Sequence, residues 1–502
     1  MYNLTKLFTV AAFFSLAGNG AHGTTYAAAD VSLAAVQAAV NAATNGDTVL
    51  IPPGTAIWTN GLTIYNKGIN LIGAGVTNTF IIDADPVHNH MIDSEHSYPH
   101  FIRISGFSIT GGNLATSVAE INIGSTLQSN CFRVDNIQIT NLTKYGVQVS
   151  GYSMGVIDHC YFSSVLGATG IAVNGEGAYT WDVRPPTWGD TNKVYVEDCS
   201  FFWSAQAGNA NGAIDSYNGA RWCFRHNFVT NINIGDHGTD SSGSARGTHS
   251  YEIYNNTIVG TVQGTYLFFD FRGGSGILFS NTLTYIHGYP LIGLLNYRNA
   301  GTNIYGPANP PCCNPWGPIN GINPLDGNTD PYGYPPYDSP GRTSPTAYYT
   351  NVPTPSYTNF VLNPANLLTF LSNAPVDYTI ADYTLILSNL SNATNGFTAQ
   401  AAQPCYEWSN TANGGPLVFS VGNIYTNLGS YYLIPSDNAE ILANRDYFDN
   451  IVMSNYVVYA VSNNALVSVA TNAYTPLVYP HPLVTAGTLL PPSNLHVVTP
   501  GG

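Results

Sequence analysis

Charge is what this chain has least of. Only 9% of its 502 residues are Asp, Glu, Lys or Arg, and 14 Lys and Arg face 29 Asp and Glu. A net charge of −15 with so few cations argues against nucleic acid or an anionic membrane as partner, since both require a basic face. Long apolar runs are almost as scarce. The one at Leu7 to Ala17 follows Lys6 and is about eleven residues long, short of the roughly 20 that span a bilayer. Small residues follow it through Gly23, so residues 1–23 read as a secretory signal peptide cleaved near Ala21-His22-Gly23. The mature chain is expected to be secreted, extracellular or periplasmic, with no membrane span. Seven cysteines are an odd number, which leaves at least one unpaired; a bridge from Cys312-Cys313 to Cys405 is one open pairing.

What the chain has in quantity is β-branched and aromatic residues, Gly, Asn, Ser and Thr, the composition of an ordered β-protein. A repeat organises them. With Phe107, Ile137, Cys160, Cys199, Asn227, Asn256 and Asn281 aligned as position zero, two residues later stand Ile109, Ile139, Phe162, Phe201, Val229, Ile258 and Leu283. Three residues earlier stand Ile104, Val134, Ile157, Val196, Phe224, Ile253 and Leu278. The spacings of 30, 23, 39, 28, 29 and 25 are too irregular for helical hairpins but suit coils whose short strands stay in register while their loops vary. A parallel β-helix follows, an all-β solenoid with strands about 4.8 Å apart. Asn227, Asn256 and Asn281 are expected to form an interior ladder at a corner, with Cys199 and Cys160 as small thiols in the same slot.

Ahead of the coils, Val31 to Ala43 reads as an amphipathic helix ended by Asn45-Gly46, followed by the strand and turn Asp47-Thr48-Val49-Leu50-Ile51-Pro52-Pro53-Gly54. This helix, strand and turn before stacked coils resembles the N-terminal cap of right-handed parallel β-helix proteins of the pectate-lyase-like superfamily. The resemblance covers about residues 30 to 300 and returns near 401 to 485. It implies a right-handed coil, a capping helix that covers the first rung, and action on polysaccharide. The expected organisation is a β-helix with its cap over 24–300, Pro/Gly/Asn-rich inserts off the stack over 301–398, final coils and closure over 399–490, and a tail over 491–502.

Enzymes of this architecture work on the outside of one sheet, where a groove crosses several coils. Asp215 precedes Arg221 by six residues and Asp240 precedes Arg246 by six, while Asp270 and Arg272 take the comparable place one coil on, with Asp236 and His237 beside them. In a chain so poor in charge this cluster stands out. Asp240, Asp270, Arg246, Arg272 and His237 are the candidate catalytic residues; Asp215, Arg221 and Asp236 are candidates for binding substrate. Carboxylates and an Arg there would act on a glycosidic bond or a sugar, or else the Asp and Arg simply brace neighbouring coils. Trp181 and Trp188 are candidates for stacking on sugar rings, with packing of their own loop as the other reading; Trp203, Trp316 and Trp408 are further aromatics expected at the surface.

Val156-Ile157-Asp158-His159-Cys160 resembles the V-W-I-D-H stretch of pectate lyases with Val in place of Trp. The R-x-P-x-x-R segment of those lyases is absent, as is the adjacent Asp pair of polygalacturonase-like enzymes. His88, His90, Asp93, Glu95, His96 and His100 lack the second half of a metal site and read as a polar surface loop. The chain is therefore expected to be a monomer that binds polysaccharide and cleaves it as a lyase or glycoside hydrolase, or else only binds it. No cofactor is demanded; Ca2+ is the one candidate, as a bridge to an anionic substrate.

Overall fold

The computed structural model describes residues 23–86, 90–96, 100–111, 119–165, 168–175, 186–204, 212–238, 247–262, 267–287, 289–295, 339–345, 400–421, 441–462, 465–485 and 495–498. Thirty strands join in one hydrogen-bonded set in which nearly every pairing is parallel and links one coil to the next. Three strand stacks run through it. A first sheet includes Val194–Glu197, Arg221–Arg225, Ser250–Tyr254, Ser275–Phe279 and Cys405–Trp408. A second includes Tyr161–Ser164, Ser200–Trp203, Phe228–Thr230, Thr257–Gly260 and Thr282–Tyr285. A third includes Thr169–Asn174, Ile214–Tyr217, Ile234–Gly235, Leu267–Phe271 and Tyr289–Leu294.

The repeat maps onto this stack in register. Ile109, Ile139, Phe162, Phe201, Val229, Ile258 and Leu283 are all fully buried and pair in that order along the second sheet. Phe162 and Phe201 stack with ring centroids 5.0 Å apart, so the column is aromatic where the coil is widest in sequence. At position zero each Asn carboxamide serves three or four backbone or side-chain groups. Asn227 Nδ2 donates to Val196 O (3.0 Å) and to Asn256 Oδ1 (3.1 Å), and Asn256 Oδ1 also accepts the Asn227 backbone N–H (2.9 Å). Asn256 repeats this on Asn281, and Asn281 on Asn410, a fourth rung that the repeat had not included. The ladder thus satisfies buried backbone groups that a corner would otherwise orphan. Immediately before it, Asn136, His159, Asp198, His226, Asn255, Ser280 and Ser409 all adopt φ between 51° and 57°, a one-residue left-handed corner in every coil.

Helix α1 spans Leu33–Ala42, shorter at both ends than expected, with Ser32 as N-cap accepting the Ala35 N–H. Its Val36, Ala39 and Val40 join the main core, and Lys67 Nζ donates to the carbonyls of Val40 and Ala43 at its C-terminal end (2.9 Å each). Residues 495–498, expected as tail, instead form a strand parallel to Thr25–Ala28 and cover that free edge. Residues 339–345, expected off the stack, touch it: Gly341 N donates to Gly274 O (2.9 Å). The rest of 301–398 lies outside the described residues, as do Cys312 and Cys313.

Residues 399–490 do more than close the coils. After Tyr447–Asp449 the chain forms an antiparallel hairpin, Asn455–Ser462 with Ala465–Ala473, and then runs as a strap, 474–485, over the outer face of the first sheet. The strap binds charge that faces outward from the coils. Arg225 donates to Leu477 O (2.6 Å) and Val478 O (3.1 Å), His481 N to Glu197 Oε1 (2.7 Å), and Tyr474 Oη to Glu252 Oε2 (2.8 Å). Under it, Arg225–Glu197 (2.7 Å) and Lys193–Glu252 (3.0 Å) are ion pairs sealed from solvent. Cys223, Tyr195 and Val156 pack there against Leu477 and Leu483. Trp188 belongs to this covered region too: it is buried against Ile277 and Met453 with Lys193 Nζ 5.6 Å from its ring centroid. The sugar-stacking role expected of it is therefore excluded, because its loop packs against the outward side of the first sheet, where Ile277 and Met453 cover the ring. Trp203 points into the core and is fully buried, and Trp408 stacks on Phe279 at 4.7 Å. Cys405 is a buried free thiol beside Tyr251 Oη (3.5 Å).

Candidate functional site

The expected Asp–Arg columns resolve differently from the six-residue spacing. Asp215 lies in the third sheet, whereas Arg221 has passed the corner and opens a first-sheet strand in register with Ser250. The alignment that the coils make is Asp215 with Gly235 and Gly235 with Asp270, through the pairs Ile214–Ile234 and Gly235–Asp270. Two residues on, in the same order, come Tyr217, His237 and Arg272. Ile214, Ile234, Phe269 and Phe271 point inward and are buried, so alternation turns these six outward. Three successive rungs thus read D-x-Y, G-x-H and D-x-R.

The column through the two carboxylates is otherwise bare. Ala172 precedes Asp215, Gly235 separates the two Asp, and Gly293 follows Asp270. A Cβ on Gly235 would stand 2.7 Å from the Asp270 carbonyl oxygen and 3.5 Å from its Cβ, so glycine is what lets the two rungs approach between the carboxylates. Asp215 and Asp270 are two rungs apart, about 10 Å between Cα atoms.

At the centre stands the pair Asp215–His237, with His237 Nδ1 2.7 Å from Asp215 Oδ1. The same carboxylate oxygen accepts the Ser216 N–H (2.9 Å), and the His237 backbone is held on both sides, its N–H by Ser216 O (2.8 Å) and its carbonyl by Thr248 N (2.9 Å). A carboxylate only accepts, so Nδ1 carries the proton and Nε2 is left as the basic nitrogen. Tyr217 meets the His237 ring edge-on with centroids 6.2 Å apart and shares a side-chain hydrogen bond with Tyr145. Burial first, then the negative Asp215, raises Tyr217 above its ordinary range and so keeps its proton on.

Asp236 and Arg272 form a knot beneath. Asp236 Oδ1 accepts the Arg272 backbone N–H (2.6 Å) and Asp236 O accepts Arg272 Nε (3.0 Å). Asp236 is buried, its Oδ2 has no hydrogen-bond partner, and burial pushes its carboxyl well above the usual range, helped by Asp270 and Asp215 and opposed by Arg272. It fixes the Arg272 backbone rather than meeting a ligand. Arg221 instead lies 3.5 Å from His249 Nε2, on the first-sheet side of the corner. Asp240, Arg246 and Trp181 lie outside the described residues. In the histidine-rich stretch, Ile92–His96 is a third-sheet strand rather than a loop: His90 Nδ1 lies 3.1 Å from Ala119 N, and Asp93 accepts from Asn122 (2.8 Å).

Tyr217 and Tyr145 were missed in the sequence. The signal that finds Tyr217 is the outward alternation of the third-sheet strands, legible only once their register is known; Tyr145 shares the parity of the buried Val147 and is not marked by it.

Two solved structures are similar to this chain. One is ORF18 of Geobacillus virus E2, 17% identical, with 52% of this chain and 56% of that protein covered and a TM-score of 0.34, so the chain spans about half of that relative's length. The other is an alginate lyase from Paenibacillus sp. strain FPU-7, 14% identical, with 52% of this chain and 94% of that protein covered and a TM-score of 0.29. No family model and no curated protein matches the chain. What the strand pairing defines is a stack of parallel coils of the β-helix type.

Proposed function

We propose that this protein is a secreted, monomeric polysaccharide-active solenoid, with α1 capping a right-handed coil, and that it cleaves its substrate on the outer face of the third sheet. The observation that carries this reading is the Asp215–His237 pair, set 2.7 Å apart on the outer face of the third sheet with Tyr217, Asp270 and Arg272 on the same three rungs. His237 Nε2 takes or gives the proton at the scissile linkage, Tyr217 is the complementary hydroxyl, and Arg272 supplies the cation beside the sugar acid. Asp215 is committed to His237, so Asp215 and Asp270 do not stand as an equivalent acid and base pair. The geometry therefore favours elimination, a lyase reaction, over hydrolysis by two carboxylates.

The test is a panel of acidic and neutral polysaccharides, with and without Ca2+, read by ultraviolet absorbance of an unsaturated product and by new reducing ends. Elimination gives both signals, hydrolysis only the second. His237→Ala and Asp215→Asn are each expected to lower turnover by about 100-fold or more. If no polysaccharide is cut but one is bound through Asp270 and Arg272, the protein is a glycan-binding solenoid. Full turnover by His237→Ala would remove the site from the chemistry.

A further inference from the structure

A second place on the molecule has the parts of a ligand site. At the corner between the first and second sheets, four successive coils enclose a pocket of about 540 Å3. Its polar lining comes from Thr77, Ser105, Asn136, Gln138, His159 and Tyr161, and the loop at Gly75 forms one end. The corner residues that make its floor are Gly106, Asn136 and His159, each with positive φ, so their outward sides point away from the core in one file. Four rungs give the pocket a length of about 14 Å.

Among the described residues, the hydrogen bond of the His159 ring is the one to Asp158. Its side chain is half exposed, yet its Nδ1 is held 2.9 Å from the fully buried Asp158. Asp158 is in turn gripped by Arg133 through two bonds, Nε to Oδ1 (2.9 Å) and Nη2 to Oδ2 (2.8 Å). The strap fixes Arg133 from the other side through the carbonyls of Leu483 (3.4 Å) and Val484 (3.3 Å). The carboxylate accepts at Nδ1, so Nε2 is the acceptor at the pocket. Charge is balanced around it: Arg103 and Arg133 answer Asp135 and Asp158. A balanced pocket lined by a hydroxyl, two carboxamides, an imidazole acceptor and the half-exposed ring of Tyr161 recognises a neutral, hydroxyl-rich ligand.

The protein itself shows what lies well on this file of residues. One and two rungs further along, the His159 place is taken by Asp198 and His226. There the Tyr479 ring of the strap stacks on His226 with centroids 3.8 Å apart, and its hydroxyl donates to Asp198 Oδ1 at 2.6 Å. A flat ring bearing a hydroxyl thus fills the column next to the pocket.

We infer that the pocket at His159 and Tyr161 is a second saccharide-binding site, for a short neutral oligosaccharide, separate from the Asp215–His237 site. The probes are β-1,4-linked gluco-, xylo- and manno-oligosaccharides, titrated by calorimetry into the full chain and into its Asp215→Asn variant, with the His159 imidazole signals followed by NMR. Equal affinity in both proteins, with the His159 signals shifted, is expected. His159→Gln, Tyr161→Ala and Gln138→Ala should each weaken binding about tenfold or more at unchanged melting temperature. The inference is overturned if none of the three sugars binds, if binding survives all three pocket substitutions, or if Asp215→Asn alone removes it. Because the readout is binding in a variant disabled at the other site, it stands or falls independently of any cleavage there.

Discussion

The outer faces of the first and third sheets are built from the same alternation and used in opposite ways. On the first, Glu197, Arg225 and Glu252 face outward and are then sealed: Arg225 and Glu197 have no exposed side-chain surface, and beyond their own pair and Tyr254 Oη the strap supplies further hydrogen bonds to both. On the third, Asp215, His237 and Asp270 also face outward, but no strap crosses them among the described residues, and His237 keeps 19% of its side-chain surface. The lesson is that outward in a coil and outward to solvent are separate properties. A charged side chain becomes a brace or a reagent according to what lies over it, and the strand that carries it does not decide which.

Three measurements would break or sharpen this contrast. The largest effect is expected at the covered face. Arg225→Ala leaves Glu197 buried without its cation, and a broken buried pair costs about 3–5 kcal/mol; denaturant unfolding should show it, together with new protease cleavage in 474–485. Unchanged stability would mean that the strap does not seal this face. Next comes acid. Burial first, then the charges of Arg225 and Arg133, lowers His481 to about 4, below its ordinary 6.5. A depressed histidine contributes stability that is present above the unfolded value and lost as pH falls through the folded one, here between about pH 6.5 and 4, with an upper bound of about 3 kcal/mol. Hydrogen exchange of the strap should rise across that window, and His481→Phe should flatten the rise. The smallest effect is expected at the open face: Asp215→Asn keeps the bond to Ser216 and should shift stability by less than about 1 kcal/mol. A loss as large as that of Arg225→Ala would make Asp215 a brace as well.

The inward half of this architecture was legible because it repeats. Apolar residues at fixed offsets from position zero named the core, and the Asn side chains named the ladder apart from Asn410, which follows a 129-residue excursion from Asn281. The site was legible only as a neighbourhood. Asp215 comes 16 residues after Cys199, Gly235 comes 8 after Asn227, and Asp270 comes 14 after Asn256. No constant spacing exposes that alignment, since loops of different length intervene between the second and third sheets. Asp236 looks like a reagent in sequence because it is charged and stands in the cluster; only its bonds to the Arg272 backbone and Nε show that it anchors that residue. Tyr479-Pro480-His481-Pro482 resembles a closing segment, but what the strap lies on left no local trace, because Arg225 and Leu477 meet across 252 residues.

That irregular spacing gives the single left-handed corner residue a role beyond satisfying hydrogen bonds. Loops elsewhere in each turn differ by many residues, and any error in alternation they introduced would exchange the inner and outer faces of everything downstream. From Asn136 to Ser409 the corner between first and second sheets is the one link whose length never changes. It acts as a frame marker that resets the phase once per turn, so insertions accumulate at the other corners without being carried forward. A residue added at His226 or Asn255 has no such buffer, and it would exchange the inner and outer faces of the second-sheet strand that follows it.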